Sequence, residues 1–269
     1  MEKYREIEKS IIKKFRKEIW SKFVKAIKEY QLISENDKIA VCISGGKDSF
    51  LLAKCMEELK RHGQFKFDLE FIVMNPGYTN ETLNKIIENA KLLNLNIHIF
   101  ESDIFNISNK SLGDSPCYLC ARMRRGYLYS KARELGCNKI ALGHHFNDVI
   151  ETVMLNMFFN GQFSSMMPKL KSDNFENLEL IRPLYFVFEK DIISWAKFNN
   201  LEFIGCACSV TKKGIGRRKQ IKELIEKLKE INPNLDLNIF KSTCNVNLNT
   251  MISYQYNGKK HNFLDDYYK

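Results

Sequence analysis

Residues 44–49 read Ser-Gly-Gly-Lys-Asp-Ser and follow an apolar run, Lys38–Ile43. Two glycines between a strand and a helix let backbone N–H groups approach an anion closely. The N-terminus of a helix starting near Ser49 adds donors and a favourable dipole. Ser44 and Ser49 contribute hydroxyls, and Lys47 a charge. The implied chemistry is phosphate binding, but not at a Walker loop. Val41 stands where the first Gly of that pattern belongs, and Asp48 rather than Ser or Thr follows Lys47.

A second group lies in Ile140–Asn156, IALGHHFNDVIETVMLN, where a strand ends at Gly143 and His144, His145 and Asp148 open a helix. Neighbouring residues point in different directions, so spacing gives little support to a two-histidine metal site, and helix capping is the plainer alternative. A third group is Pro116-Cys117-Tyr118-Leu119-Cys120, followed by ARMRRG. A CxxC at a helix start turns both sulfurs toward one point and lowers the thiolate pKa. It reads as a redox dithiol, as half of a zinc site, or as accident. A four-thiolate zinc site needs a second pair. Downstream stands Cys206-Ala207-Cys208, a CxC rather than a CxxC, so zinc stays open. Arg122, Arg124 and Arg125 form either a solvated basic face or phosphate contacts. Lys212, Lys213, Arg217, Arg218 and Lys219, interleaved with Gly214 and Gly216, suit an RNA backbone or mere solubility.

The elements that position these groups alternate. Strands are expected at Lys38–Ile43, Phe67–Met74, Asn96–Glu101, Asn138–Leu142 and Leu178–Arg182. Helices are expected at Ser49–Arg61, Thr79–Leu93, Leu119–Leu135, Asn147–Phe159, Glu189–Asn200 and Arg217–Glu230, the last two together forming a helical cover. This order predicts an α/β fold with a doubly wound, mainly parallel sheet. Ile7, Ile11, Phe15, Ile19, Phe23 and Ile27, spaced four apart, predict one amphipathic helix over residues 3–30. Loops are expected at Ser102–Pro116, Gly161–Glu176 and Gly205–Gly216. The tail from Asn232 carries a hairpin signal at Asn257-Gly258 and no assigned chemistry.

The chain has 269 residues, enough for one large α/β domain. No apolar run reaches the roughly 20 residues needed to span a bilayer, and Met1–Glu8 is charged rather than apolar, so a cytoplasmic protein with no membrane partner is expected. Lys and Arg number 42 against 32 acids, a formal charge of +10 that fits a polyanionic partner or a plain surface excess. Eight cysteines in such a chain point to thiol or metal chemistry rather than disulfides. Cys42, Cys55, Cys137 and Cys244 read as structural or incidental.

Ser44–Ser49 matches the SGGKDS signature of the PP-loop ATP pyrophosphatase superfamily. Gly143, His144, His145, Asp148, Glu151 and Thr152 match the GHHxDDxxET element of the tRNA 2-thiocytidine biosynthesis (TtcA-type) family, with Asn147 in place of the first Asp. PCYLCARMRRG is similar to that family's first two cluster ligands and their surroundings. The three elements occur in the family's order, and the likeness runs from about Lys38 to Lys229. It implies a PP-loop/HUP-type, Rossmann-like domain over 36–231, with residues 1–35 an N-terminal helix and 232–269 a tail.

It further implies cleavage of ATP between the α- and β-phosphates and adenylation of a cytidine in the tRNA anticodon loop. Sulfur then replaces the 2-carbonyl oxygen. The residues expected to bind the nucleotide are Ser44, Gly45, Gly46, Lys47, Asp48, Ser49, Met74, Gly143 and His144. Catalysis falls to Lys47, Asp48 and Asp148, with Mg2+. Cys117, Cys120 and Cys206, with Cys208 an alternative third ligand, would hold a 4Fe–4S cluster that leaves one iron open. The expected partners are tRNA and a sulfur donor, either a cysteine desulfurase or free sulfide, with a homodimer left open. The other readings are a PP-loop enzyme for another tRNA position or a small molecule, and a non-catalytic metal- or nucleic-acid-binding protein.

Overall fold

The computed structural model describes residues 2–63, 65–102, 116–204 and 216–267, the side chains of 116–122 and 266 excepted. Its centre is a six-stranded sheet in the order β3-β2-β1-β4-β6-β5. The strands are β1 (Lys38–Cys42), β2 (Asp68–Asn75), β3 (Ile97–Glu101), β4 (Lys139–Ala141), β5 (Lys169–Lys171) and β6 (Glu179–Ile181). All pair in parallel except β5, which runs antiparallel to β6. In the middle strand Val41 pairs with Phe71 on one side and Ala141 on the other, and Ile39, Ala40 and Val41 are all buried. Burial on both faces is why this strand reads as a continuous apolar run rather than an alternation.

The chain order reverses between β1 and β4, so both strands send their next segments into one crevice at the carboxyl edge. Around the sheet lie α1 (Lys3–Ile12), α2 (Ser21–Glu29), α3 (Lys47–His62), α4 (Asn80–Leu92), α5 (Pro116–Glu134), α6 (Phe146–Asn160), α7 (Glu189–Phe198), α8 (Arg217–Ile231) and α9 (Leu235–Cys244). No helix among the described residues is long and apolar enough to cross a membrane.

Four expectations are corrected. The helix expected over 3–30 is two helices joined by a π-helical turn at Arg16–Trp20. A step of four residues drifts about 40° around a 3.6-residue turn, so five steps would swing the apolar stripe by about 200°. The i→i+5 bond from Trp20 N–H to Phe15 O widens the turn and absorbs part of that drift. Ile7, Ile11, Phe15, Ile19, Phe23 and Ile27 are consequently all buried, in the same core cluster as β1 and α3. Second, α3 begins at Lys47, two residues earlier than expected. Third, the expected loop Gly161–Glu176 contains β5, a three-residue edge strand with Lys169 and Lys171 at its ends, too short and polar to leave an alternating pattern. Fourth, α7 and α8 are not one cover: α7 packs on α3, and α8 on α6 and α9.

Beyond α9, Ser253–Tyr256 and Lys259–Asn262 form the hairpin expected at Asn257-Gly258. Both turn residues have positive φ, 49° and 74°, as a two-residue turn of this twist requires. Cys42, Cys55 and Cys137 are buried free thiols, and Cys244 is exposed. Burial pushes the Cys42 and Cys55 thiols far up and that of Cys137 to about 11, so none is a ready thiolate.

Candidate active site

The loop after β1 is shaped from within. Gly45 has φ +89°, and a Cβ there would collide with Ile204 and approach Ile86 Cγ1 to 2.9 Å. Only glycine meets both conditions. Gly46 then caps α3 in an extended conformation. The buried Ser49 hydroxyl donates to Gly46 O at 2.9 Å and accepts from Ser44 N–H at 3.2 Å, stapling the loop into a tight bend. The N–H groups of Lys47, Asp48 and Ser49, in the first helical turn, have no intrahelical acceptors and face out along the axis.

Gly143, at the end of β4, lies against this turn. A Cβ on it would stand 3.1 Å from Asp48 C and Ser49 N, so the glycine permits the close approach of the two motifs. The segment after it opens α6. Asp148 Oδ2 accepts the His145 backbone N–H at 3.0 Å, fixing the helix start. The His145 ring is enclosed between two carboxylates, with Nε2 3.8 Å from Asp48 Oδ1 and Nδ1 3.4 Å from Asp148 Oδ2. Asp48 Oδ1 is itself buried without a hydrogen bond, although Lys47 Nζ lies 3.2 Å away. Thus Asp48 and Asp148, far apart in the chain, flank one imidazole.

His144 is half-buried, with its Nδ1 enclosed and without a partner. Burial pulls its pKa down to about 4, and Arg182 and Arg218 push it the same way against Asp148. It is therefore a neutral imidazole at pH 7. Burial raises Glu151 to about 7, with Arg218 opposing the rise.

Several partners at the site were not expected from the sequence. Glu189, the first residue of α7, places Oε1 3.2 Å from Lys47 Nζ and Oε2 2.5 Å from Lys222 Nζ. Asn147 Oδ1 accepts the Glu189 backbone N–H at 3.0 Å, capping α7 from a distance. Arg218, expected in a free basic run, is instead bound to Asp148 Oδ1 at 2.9 Å and Glu151 Oε2 at 3.2 Å. Arg182, directly after β6, donates from Nη1 to Met167 O. A usable signal existed for two of these: an acid in a helix's first turn, and an Arg ending an apolar strand.

Met74, the penultimate residue of β2, pairs with Phe100 and has a buried side chain at the opposite flank of the loop from Arg182. Cys117 and Cys120 fall in the first turns of α5. That helix feeds β4, so its N-terminal end lies toward the same carboxyl edge as the loop. Their side chains, that of Arg122, and all of Cys206, Cys208, Lys212 and Lys213 lie outside the described residues. Among the described residues no group of three or more His, Cys, Asp or Glu could hold a metal unaided. A magnesium ion fits here as one usually does, through one or two carboxylates plus the phosphates of its nucleotide. The unbonded Asp48 Oδ1 is a carboxylate oxygen that could serve as such a ligand.

The site is thus a backbone anion cradle beside a lysine, two carboxylates and a neutral histidine, built to bind and polarise a polyphosphate. Comparison with known proteins agrees. The PP-loop domain family matches residues 15–227. The tRNA-cytidine(32) 2-sulfurtransferase of Geobacter metallireducens is 37% identical over 224 residues, covering 82% of this chain and 87% of that protein. The protein of the same name from Alcanivorax borkumensis is 36% identical over 240 residues, covering 87% and 83%. Among solved structures, the U34-tRNA thiolase NcsA of Methanococcus maripaludis, with its [4Fe-4S] cluster, superposes with a TM-score of 0.67. It covers 82% of this chain and 76% of its own; at 22% identity that likeness shows the shared fold.

Proposed function

Because the chain belongs to the PP-loop family, among its tRNA-cytidine(32) 2-sulfurtransferases, we propose that it is an ATP-dependent enzyme that converts a cytidine of the tRNA anticodon loop to 2-thiocytidine. The observation that carries the reading is the cradle at residues 44–49, set at the sheet's switch point with Lys47 held over it by Glu189. ATP binds with its phosphates on Ser44–Ser49 and its adenine against the backbone near Met74, while Gly143 and His144 form the floor. The cytidine 2-oxygen attacks the α-phosphorus, and pyrophosphate leaves. Lys47 and the first-turn amides of α3 balance the charge that develops on the phosphates. Asp48 and Asp148 are the carboxylates available to magnesium, which when bound neutralises the departing pyrophosphate.

A carbonyl oxygen is a poor leaving group, and adenylation makes it a good one. Sulfur then replaces it at C2, and AMP departs. Cys117, Cys120 and Cys206, or Cys208 in its place, supply three thiolates, a donor set that suits a 4Fe–4S cluster with one open iron. When bound, the cluster presents the sulfur that is transferred. The chain's own contribution there is the first turn of α5, which brings Cys117 and Cys120 to the carboxyl edge. The target base must leave its stack to enter the crevice, which a single-stranded loop permits at low cost.

In this reading 36–231 is the catalytic unit, 1–35 a helical buttress and 232–269 a tail. The compartment is the cytoplasm, in keeping with the four free thiols among the described residues. The sulfur comes from a cysteine desulfurase or free sulfide, and a homodimer is the assembly to test by light scattering. The decisive experiment incubates anaerobically purified protein with tRNA, Mg-ATP and sulfide, then digests the tRNA for nucleoside mass spectrometry. The expected result is 2-thiocytidine with one pyrophosphate per sulfur. Pyrophosphate release with no sulfur in the RNA would overturn the substrate assignment. Iron and sulfide analysis tests the cluster: one bound zinc instead would remove it.

A further inference from the structure

We propose that Arg182, with Arg124 and Arg125, forms a second phosphate site at the mouth of the crevice. Its ligand is a phosphate of the reaction, either the RNA phosphodiester beside the target nucleotide or the α-phosphate of ATP. The proposal rests on the function given above.

The cations already described at the site all have carboxylate partners. Lys47 has Asp48 and Glu189, Lys222 has Glu189, and Arg218 has Asp148 and Glu151. Arg182 has none within 4 Å among the described residues. Its Nε is enclosed without an acceptor, and the Met167 carbonyl takes only Nη1. Tyr185, Tyr129 and the more distant Asp148 favour its charge without pairing with it, and Arg125 lies close enough to oppose it. Arg124, one residue away on α5, also has its Nε enclosed with no acceptor.

Position gives this cluster its meaning. Arg182 immediately follows β6, which pairs with β4, and β4 leads into Gly143 and His144. The Arg182 charge is felt at His144, and that of Asp148 is felt at Arg182. Arg124 and Arg125 stand on the helix that begins with the CxxC. The cluster therefore links the cysteine-bearing helix, which carries Arg124 and Arg125, to the strand end beside the candidate adenylation site, which carries Arg182.

Holding a partly buried cation without a counter-ion is unfavourable, and one carbonyl bond does not offset it. An anion that arrives with the substrate would supply the missing partner. A guanidinium with Nε and a second terminal nitrogen open can form two parallel bonds to a phosphate, a geometry an ammonium group cannot match. Burial already makes the charged form less favourable, pulling the Arg182 pKa to about 10, and a bound phosphate would reverse that direction.

The test uses the full chain, purified anaerobically, as wild type, Arg182→Gln, Arg182→Lys and Arg125→Gln, with folding checked by circular dichroism. One arm measures tRNA affinity by filter binding between 50 and 200 mM salt (roughly the range over which counterion release is read). The other measures affinity for a non-hydrolysable ATP analogue by equilibrium dialysis. Arg182→Gln is expected to weaken at least one ligand about tenfold, with Arg182→Lys recovering only part and Arg125→Gln shifting the same ligand by a smaller factor. Loss on the RNA arm with a salt slope lower by about one assigns the phosphodiester. Loss on the nucleotide arm assigns the α-phosphate. Unchanged affinity for both ligands overturns the proposal. Should Arg182→Gln not fold, unchanged affinity of the exposed-site variant Arg125→Gln for both ligands overturns it equally. Wild-type protein that binds the ATP analogue but no tRNA would instead defeat the functional reading and leave the nucleotide arm able to judge Arg182.

Discussion

Asn147 Oδ1 accepts the backbone N–H of Glu189 at 3.0 Å, and the carboxylate of that same Glu189 reaches Lys47 in the phosphate loop. Asn147 is where the chain departs from its family's sequence pattern, and its work here is to cap α7. That task needs an acceptor, which Asp provides equally. Asn147→Asp should therefore leave pyrophosphate release within about twofold of wild type. Asn147→Ala removes the cap and should cost about 1 kcal/mol in urea unfolding. A large loss of activity in Asn147→Asp would mean the side chain has a chemical role.

Lys47 and Glu189 should respond with opposite signs. Lys47→Ala removes charge stabilisation where the transition state needs it, and pyrophosphate release should fall by about 10²–10³. Glu189→Gln removes a carboxylate that competes with the triphosphate for Lys47 and repels it. ATP should then bind severalfold more tightly, while turnover falls because Lys47 and Lys222 lose their shared anchor. Equilibrium dialysis and single-turnover kinetics separate the two effects. Weaker ATP binding in Glu189→Gln would show that holding Lys47 in place outweighs the competition.

Gly45→Ala tests whether the loop shape is obligatory. The residue needs φ +89°, and a methyl group would strike Ile204 and crowd Ile86. The strain is about 1–3 kcal/mol before any repacking, and the loop can relieve it only by opening. ATP affinity should fall at least tenfold while the rest of the fold persists, a result visible by nucleotide dialysis beside a far-UV spectrum. Gly143→Ala should act similarly by prising the loop from β4.

The parts of this site that were legible in the sequence are those encoded by neighbours. Ser44–Ser49, the His145–Asp148 helix start and the Asn257-Gly258 hairpin each follow from a few adjacent residues and a turn rule. Lys47 and Glu189 are 142 residues apart, and no local pattern links them. Arg218 looked like part of a solvated run because its carboxylate partners lie some 70 positions away, on the face of another helix. The helix break near Arg16 was present in the strict four-residue spacing, which fits neither a straight α-helix nor a strand. Lys169–Lys171 became a strand only because β6 offered an edge to it.

His144 and Glu151 should give opposite pH dependences. Burial holds His144 near 4 in the folded chain, against 6.5 ordinarily. Between those values the unfolded chain binds a proton that the folded one refuses, so this group makes stability rise with pH and then level off. Burial holds Glu151 near 7 against 4.5, despite Arg218. There the folded chain binds the extra proton, and stability falls as pH climbs from 4.5 to 7. Each slope integrates to at most roughly 3–4 kcal/mol, and over pH 4.5–6.5 they oppose each other in the wild type. His144→Gln should uncover the falling limb, and Glu151→Gln, which keeps an acceptor for Arg218, the rising one. Urea unfolding of the nucleotide-free protein at pH 4.5, 5.5, 6.5 and 7.5 reads both. Parallel profiles for the two variants would mean that neither group is held away from its ordinary titration, and the neutral His144 would then have to be abandoned as the floor of the site.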